Sequence, residues 1–125
     1  MQVSKNSNEH GSIRKEPGGK LNVALVYPNS YRLGMANLGL HAVYRIINDH
    51  PEALAERAFL PEEPGGAVRT LESGRSLGEF DVVAFSLSFE DDYLNVLQIL
   101  ERSGIPLRAD ARRKLPLVIA GGIAM

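Results

Sequence analysis

A chain of 125 residues, 44% hydrophobic and 23% charged, is sized for one soluble globular core. Its formal net charge of -1 excludes a broad electrostatic attraction to nucleic acid or to an anionic membrane. The absence of cysteine excludes disulfides, thiolate zinc sites and iron–sulfur ligands from this segment.

The polar start from Met1 to His10 has no signal-peptide character, and no apolar run approaches the roughly 20 residues that span a bilayer. Cytoplasm is the default compartment. Residues 1–20, punctuated by Pro17-Gly18-Gly19, read as a flexible arm, and residues 21–125 as one domain. Leu21 to Tyr27 is a continuous apolar run of strand length, stopped by Pro28-Asn29-Ser30. From Leu33 to His50 apolar residues recur at helical spacing, with Leu38, Val43, Ile46 and Ile47 able to share a face, and Pro51 ends the helix. Ala55 to Leu60 reads as a second strand. Leu71 to Glu79 stays open, with room for one short helical turn.

The alternation then repeats. Asp81 to Phe89 has apolar residues on both parities, as a strand buried on both faces does. Glu90-Asp91-Asp92 puts three acids at a helix start, where the dipole favours them. The helix that follows carries Leu94, Leu97, Ile99 and Leu100 and ends at Gly104 and Pro106. A loop rich in Arg and Asp leads to a last strand, Pro116 to Ala120. Strands and helices alternating through short connections imply right-handed crossovers and a parallel sheet. The expected fold is α/β, a Rossmann-like (flavodoxin-like) doubly wound sheet. Four strands are expected, with a fifth lost through truncation and the domain incomplete at its C-terminus.

Such a sheet places its site at the carboxyl ends of its strands. The loops concerned are Pro28 to Gly34, Ser86 to Asp92, and Gly121-Gly122. Their Gly, Ser and Asn residues are also ordinary turn formers. Gly-x-Gly-x-x-Gly and Walker-type phosphate loops are absent.

Together the loops resemble those of cobalamin-binding domains. Asn29-Ser30-Tyr31-Arg32-Leu33-Gly34 stands in the place of D-x-H-x-x-G, Ser86-Leu87-Ser88 in that of S-x-L, and Gly121-Gly122 in that of Gly-Gly. Ser12 to Leu40 and Leu71 to Phe89 are similar to the amino-terminal region of cobalamin-domain-containing radical S-adenosylmethionine (SAM) proteins. The resemblance implies that Ser30, Tyr31, Leu33 and Gly34 approach the corrin. It implies that Ser86 and Ser88 bond the nucleotide tail, and that Gly121 and Gly122 admit it. Asn29 and Tyr31 depart from the motif, so position 31 offers cobalt no imidazole. That is compatible with base-off cobalamin and equally with a domain that has lost its cofactor.

Other candidates have plainer readings. His41 and His50 are out of metal-binding register on their helix, and His10 is remote, so no metal site is expected. Glu90, Asp91 and Asp92 read as dipole partners and caps. Arg14-Lys15 reads as a solvated basic pair. Arg108, Arg112, Arg113 and Lys114 form a basic loop without interleaved aromatics, which gives nucleic-acid binding no support. Ser30, Ser86 and Ser88 have no nearby base for hydrolysis.

The resemblance implies a parent with an iron–sulfur cluster and SAM in a separate downstream domain, the partner of this one. No catalytic residue is expected here, because C-x-x-x-C-x-x-C is absent. The expected role is to bind or shield a cofactor, with cobalamin the candidate. The alternative is a cofactor-free Rossmann-like module for docking or partner binding.

Overall fold

In the computed structural model, which describes residues 2–3, 12–108 and 116–122, the apolar run Leu21–Tyr27 forms the strand around which the domain is built. Counting a short antiparallel ribbon, β1 (Gln2–Val3) with β2 (Ile13–Arg14), this central strand is β3. It pairs in parallel with β4 (Ala53–Phe59) on one side and β5 (Val82–Leu87) on the other. A last parallel strand, β6 (Leu117–Gly122), pairs with β5, giving the order β4-β3-β5-β6. The expected doubly wound parallel sheet is therefore the observed one. Its order reverses between β3 and β5, the topological switch point of such sheets.

Each face of β3 is buried because both parities of its sequence are apolar. Ala24 and Val26 join Ala58, Val83, Phe85 and Leu87 beneath α3 (Asp92–Arg102), which contributes Ile99 and Leu100. Leu25 and Tyr27 join Ala55 on the other face beneath α2 (Leu38–Asp49), which contributes Leu40 and Tyr44. The single helix expected from Leu33 to His50 is two. A short α1 (Tyr31–Met35) ends at Ala36, and α2 restarts where the Asn37 side chain accepts a hydrogen bond from Leu40 N–H at 2.9 Å. An Asx N-cap satisfies an orphan donor and favours this restart over one unbroken helix.

The expected flexible arm is docked from Ser12 onward. Ser12 is buried, Ile13 N–H donates to Tyr44 Oη at 2.9 Å, and Asn22 Nδ2 donates to Pro17 O at 3.0 Å. Lys15, read as solvated, places Nζ on the carbonyls of Asn48, His50 and Ala53. A cation at the carboxyl end of α2 complements the helix dipole.

Strand β4 carries two charged residues that the core accommodates by pairing. Arg57 Nε and the Glu72 carboxylate form a buried ion pair at 2.8 Å, and the guanidinium lies 4.3 Å over the Tyr44 ring. On the other face Glu56 accepts from Thr70 Oγ1 at 2.6 Å and from Arg75 Nη2 at 3.2 Å. The outer edge of β4 is sealed by the same segment. Leu71 N–H donates to Arg57 O at 2.7 Å, and Arg57 N–H donates to Glu72 Oε1 at 2.8 Å. Closing an edge in this way removes a template for strand addition. No helix among the described residues is long and apolar enough to cross a membrane.

Candidate functional site

The carboxyl end of β3 turns through Pro28 and Asn29 into α1. Asn29 Oδ1 accepts from Ser30 N–H at 2.9 Å, and Ser30 Oγ accepts from Leu33 N–H at 3.2 Å as the N-cap of α1. This steers the loop over β4. The Tyr31 ring meets Phe59 edge-on at 5.2 Å, and Leu33 stays about half exposed. Gly34 lies under the same ring, so that a Cβ there would overlap Phe59. Packing against Phe59 thus accounts for Gly34. Tyr31 and Phe59, with Pro61, Arg69 and Leu71, also line an open cleft of about 320 Å³.

Ser86 lies inside β5, within the strand expected from Asp81 to Phe89, and Gly121 and Gly122 extend β6 beyond the expected end at Ala120 instead of forming a loop. The pairing sets Ser86 opposite Gly121 and Leu87 opposite Gly122. These positions sit at the β5–β6 end of the site, across β3 from the Tyr31–Gly34 group over β4. The structure therefore sorts the eight expected residues into two clusters along one sheet edge. Gly122 is required by its backbone: φ is +128°, and a Cβ would strike the Leu87 main chain. Gly121 has no such requirement. Among the described residues no atom lies within 4 Å of where its Cβ would stand.

Four polar residues that the sequence reading did not assign to the site brace these loops together. Asp92, 1% exposed, accepts from Ser88 N–H at 3.1 Å and Phe89 N–H at 3.0 Å with Oδ2. Its Oδ1 accepts from Asn29 Nδ2 at 3.4 Å. Asn37 Nδ2 donates to Ser88 Oγ at 2.9 Å, and Asn95 Nδ2 donates to Pro28 O at 2.9 Å. Asp92 thus fastens the preceding loop instead of serving only the helix dipole. The available signal was the recurrence of Asn and Asp in the turn after β3 and at the starts of both long helices. The Ser30 and Ser88 hydroxyls each accept one of these bonds and keep a proton to donate to a ligand.

The remaining candidates are structural. His41 Nε2 lies 2.7 Å from Met35 O, and His50 Nδ1 accepts from Glu52 N–H at 3.1 Å. His10, Arg112, Arg113 and Lys114 lie outside the described residues. Among the described residues no group of three His, Asp or Glu could hold a metal ion. Perturbed titration occurs away from the site. Burial raises the Glu72 carboxyl against the opposing pull of Arg57, and burial with the nearby Glu72 charge raises the Tyr44 hydroxyl.

Comparison with known proteins places this geometry in context. The family model for the N-terminal region of radical SAM proteins matches residues 39–125. That match includes Ser86, Ser88, Gly121 and Gly122 and leaves out Ser30, Tyr31, Leu33 and Gly34. The uncharacterized protein MJ0966 of Methanocaldococcus jannaschii is 27% identical over 103 residues, covering 81% of this chain. The chain spans 19% of the length of that curated relative. No solved structure matches this chain.

Proposed function

The chain belongs to the family of N-terminal regions of radical SAM proteins, and we propose that it shields and completes a cofactor site beside a separate catalytic region. In such a parent a reduced iron–sulfur cluster would cleave SAM to a 5′-deoxyadenosyl radical. This chain, with no cysteine, supplies neither cluster ligands nor the radical step. Its part is to present the carboxyl edge of its sheet, because ligands of open α/β sheets sit there.

The cofactor we propose is cobalamin, bound base-off. The hydroxyls of Ser86 and Ser88 and the bare Gly121 would suit its nucleotide tail, and position 31 offers no imidazole to its cobalt. Gly121 carries this reading: among the described residues it meets no packing or backbone constraint, and it lies opposite Ser86 at the end of the sheet. A glycine with no structural reason to be one suits the close approach of a ligand. Ser86 and Ser88 would donate hydroxyl protons to the tail, Gly121 would leave it room, and Ser30, Tyr31 and Leu33 would border the corrin, while Gly122 and Gly34, packed on the Leu87 main chain and the Phe59 ring, would shape the backbone beneath it. When bound, cobalamin would supply methyl transfer or support for radical chemistry.

The cofactor-free docking reading has its own support in the exposed Leu117 and Ile119 of β6. Titration of the full-length protein with hydroxocobalamin separates the two. A shift of the visible spectrum in the parent, lost in Gly121→Val, supports the cofactor reading. No shift in the parent protein leaves the docking module as the function.

A further inference from the structure

Hydrogen bonds close the loops after β3 and β5 into one ring. Gly34 N–H donates to Ser30 O at 3.0 Å, Ser30 N–H to Asn29 Oδ1, and Asn29 Nδ2 to Asp92 Oδ1. Ser88 N–H donates to Asp92 Oδ2, Asn37 Nδ2 to Ser88 Oγ, and Asn37 N–H returns to Gly34 O at 3.0 Å. The ring spans the switch point between β3 and β5. The direction of the Asn37 bond within it follows from the other end of the same side chain. Leu40 N–H can only donate, so the oxygen of the Asn37 amide faces the helix and its nitrogen faces Ser88. Ser88 Oγ is therefore the acceptor toward Asn37, and its own proton points elsewhere. Among the described residues no acceptor takes that proton: Asp92 receives the Ser88 main-chain N–H and not the hydroxyl. Ser88 is half-buried, which leaves the proton open to a bound molecule.

We infer that Asn37 is a positioning residue of this site: it holds Ser88 as a dedicated hydrogen-bond donor, so that the ligand meets the β5 loop with an acceptor atom and a ligand donor is refused there. A cap for α2 does not by itself call for asparagine. Aspartate, serine and asparagine cap about equally well through a side-chain oxygen, and of the three only asparagine adds an N–H donor on a separate atom. At the start of α3 the chain uses the opposite chemistry, since Asp92 accepts from two main-chain N–H groups and presents no donor. With asparagine at 37 and aspartate at 92, the side chain and the main chain of Ser88 are held from two helices at once. The hydroxyl proton is thereby confined to directions away from α2. Ser30 has the same polarity, because its Oγ accepts from Leu33 N–H. Both hydroxyls thus present protons at this edge of the sheet. The ligand is that of the cofactor reading, on which this role of Asn37 rests.

Asn37→Asp in the full-length protein tests this, because it keeps the capping oxygen and replaces the amide nitrogen by a second acceptor. The Ser88 hydroxyl then turns its proton back to the new carboxylate and away from the ligand. Hydroxocobalamin titration, read in the visible spectrum, should give an affinity about tenfold weaker than the parent's in Asn37→Asp and in Ser88→Ala alike, and no weaker in the double variant. Acidification should restore binding to Asn37→Asp only while Ser88 is present, since a protonated carboxyl can donate to Ser88 Oγ as the amide does. Exchange protection of the Leu40 amide reports whether the cap is intact. Should it fall, Asn37→Ser, which caps without reaching Ser88, takes its place and is expected to lose affinity while keeping that protection. Parental affinity in the Asn37 variant, or a loss that adds to that of Ser88→Ala, overturns the inference and leaves the cofactor reading standing. Recovery in acid without Ser88 marks a charge effect and overturns it as well. No spectral shift in the parent removes the cofactor reading, and the role of Asn37 falls with it.

Discussion

Asn29 and Asp92, 63 residues apart in sequence, meet at 3.4 Å across the switch point, with an amide donor on one side and a buried carboxylate on the other. Asp92 already accepts two backbone N–H groups with its second oxygen, so its first oxygen takes a neutral donor from the β3 loop. An aspartate at position 29 would place two carboxylates in contact. At 4 Å and an effective dielectric near 20, like charges repel by about 4 kcal/mol, part of which is relieved by protonating one of them. Asn29→Asp is expected to destabilise the β3 and β5 loops by about 2 to 3 kcal/mol at neutral pH. The loss should fade in acid and be rescued by Asp92→Asn. Hydrogen exchange at Ser88 and Phe89 amides reads the effect, and a pH-independent loss would sink the charge argument.

Gly121 and Gly122 are adjacent and should respond differently to the same change. Gly122→Ala forces a side chain into a positive-φ backbone and onto the Leu87 main chain, and should cost about 2 kcal/mol or more. Gly121→Ala meets open space and should fall within about 0.5 kcal/mol of the parent in stability. Exchange protection of β5 and β6 amides compares them. Equal losses at both positions would mean that Gly121 is structural too, and would remove the observation on which the cofactor reading stands.

What was legible in the chain follows the range of the forces involved. The bounds of β3 could be read because the apolar run and its Pro28-Asn29 stop are local. The break at Asn37 was also local, an Asx cap overlooked inside a helical period. Pairing of Gly121 and Gly122 with β5 was not legible, since strand length there is set by a neighbour more than 30 residues away. Glu56 and Arg57 were unremarkable inside β4 because their partners Thr70, Glu72 and Arg75 come from the following loop. The site was legible as a place and not as a geometry. Turn residues marked the sheet edge, while the bonds joining Asn29, Asn37, Asp92 and Asn95 to distant loops needed the fold.

Glu79 offers a pH-dependent prediction with a definite sign. Its carboxylate accepts from Ser76 N–H at 3.0 Å and Ser76 Oγ at 2.9 Å, and these bonds hold its pKa below the usual carboxylate value. A depressed folded pKa contributes stability that is complete above the unfolded value of about 4.3 and is lost as pH falls through the folded value. Protection of the Ser76 amide should therefore exceed that of Glu79→Gln at pH 6 to 7 and converge with it in strong acid. A gap that widens in acid would contradict the assignment.

Arg57 and Glu72 supply the largest expected loss. Both side chains are at most 2% exposed, and Glu72 also accepts the Arg57 main-chain N–H that would otherwise be an open edge donor. Glu72→Ala strands a guanidinium in the core beside Tyr44, at a cost of about 3 to 5 kcal/mol. Arg57→Met combined with Glu72→Leu removes both charges and fills similar volume, so most of that loss should return. The Arg57 N–H would remain unpaired in the double variant, worth about 1 to 3 kcal/mol. Recovery should therefore be incomplete by roughly that amount, measured by urea-dependent exchange of β4 amides. Full recovery would mean that the edge bond contributes nothing, and no recovery would mean that the pair serves more than charge compensation.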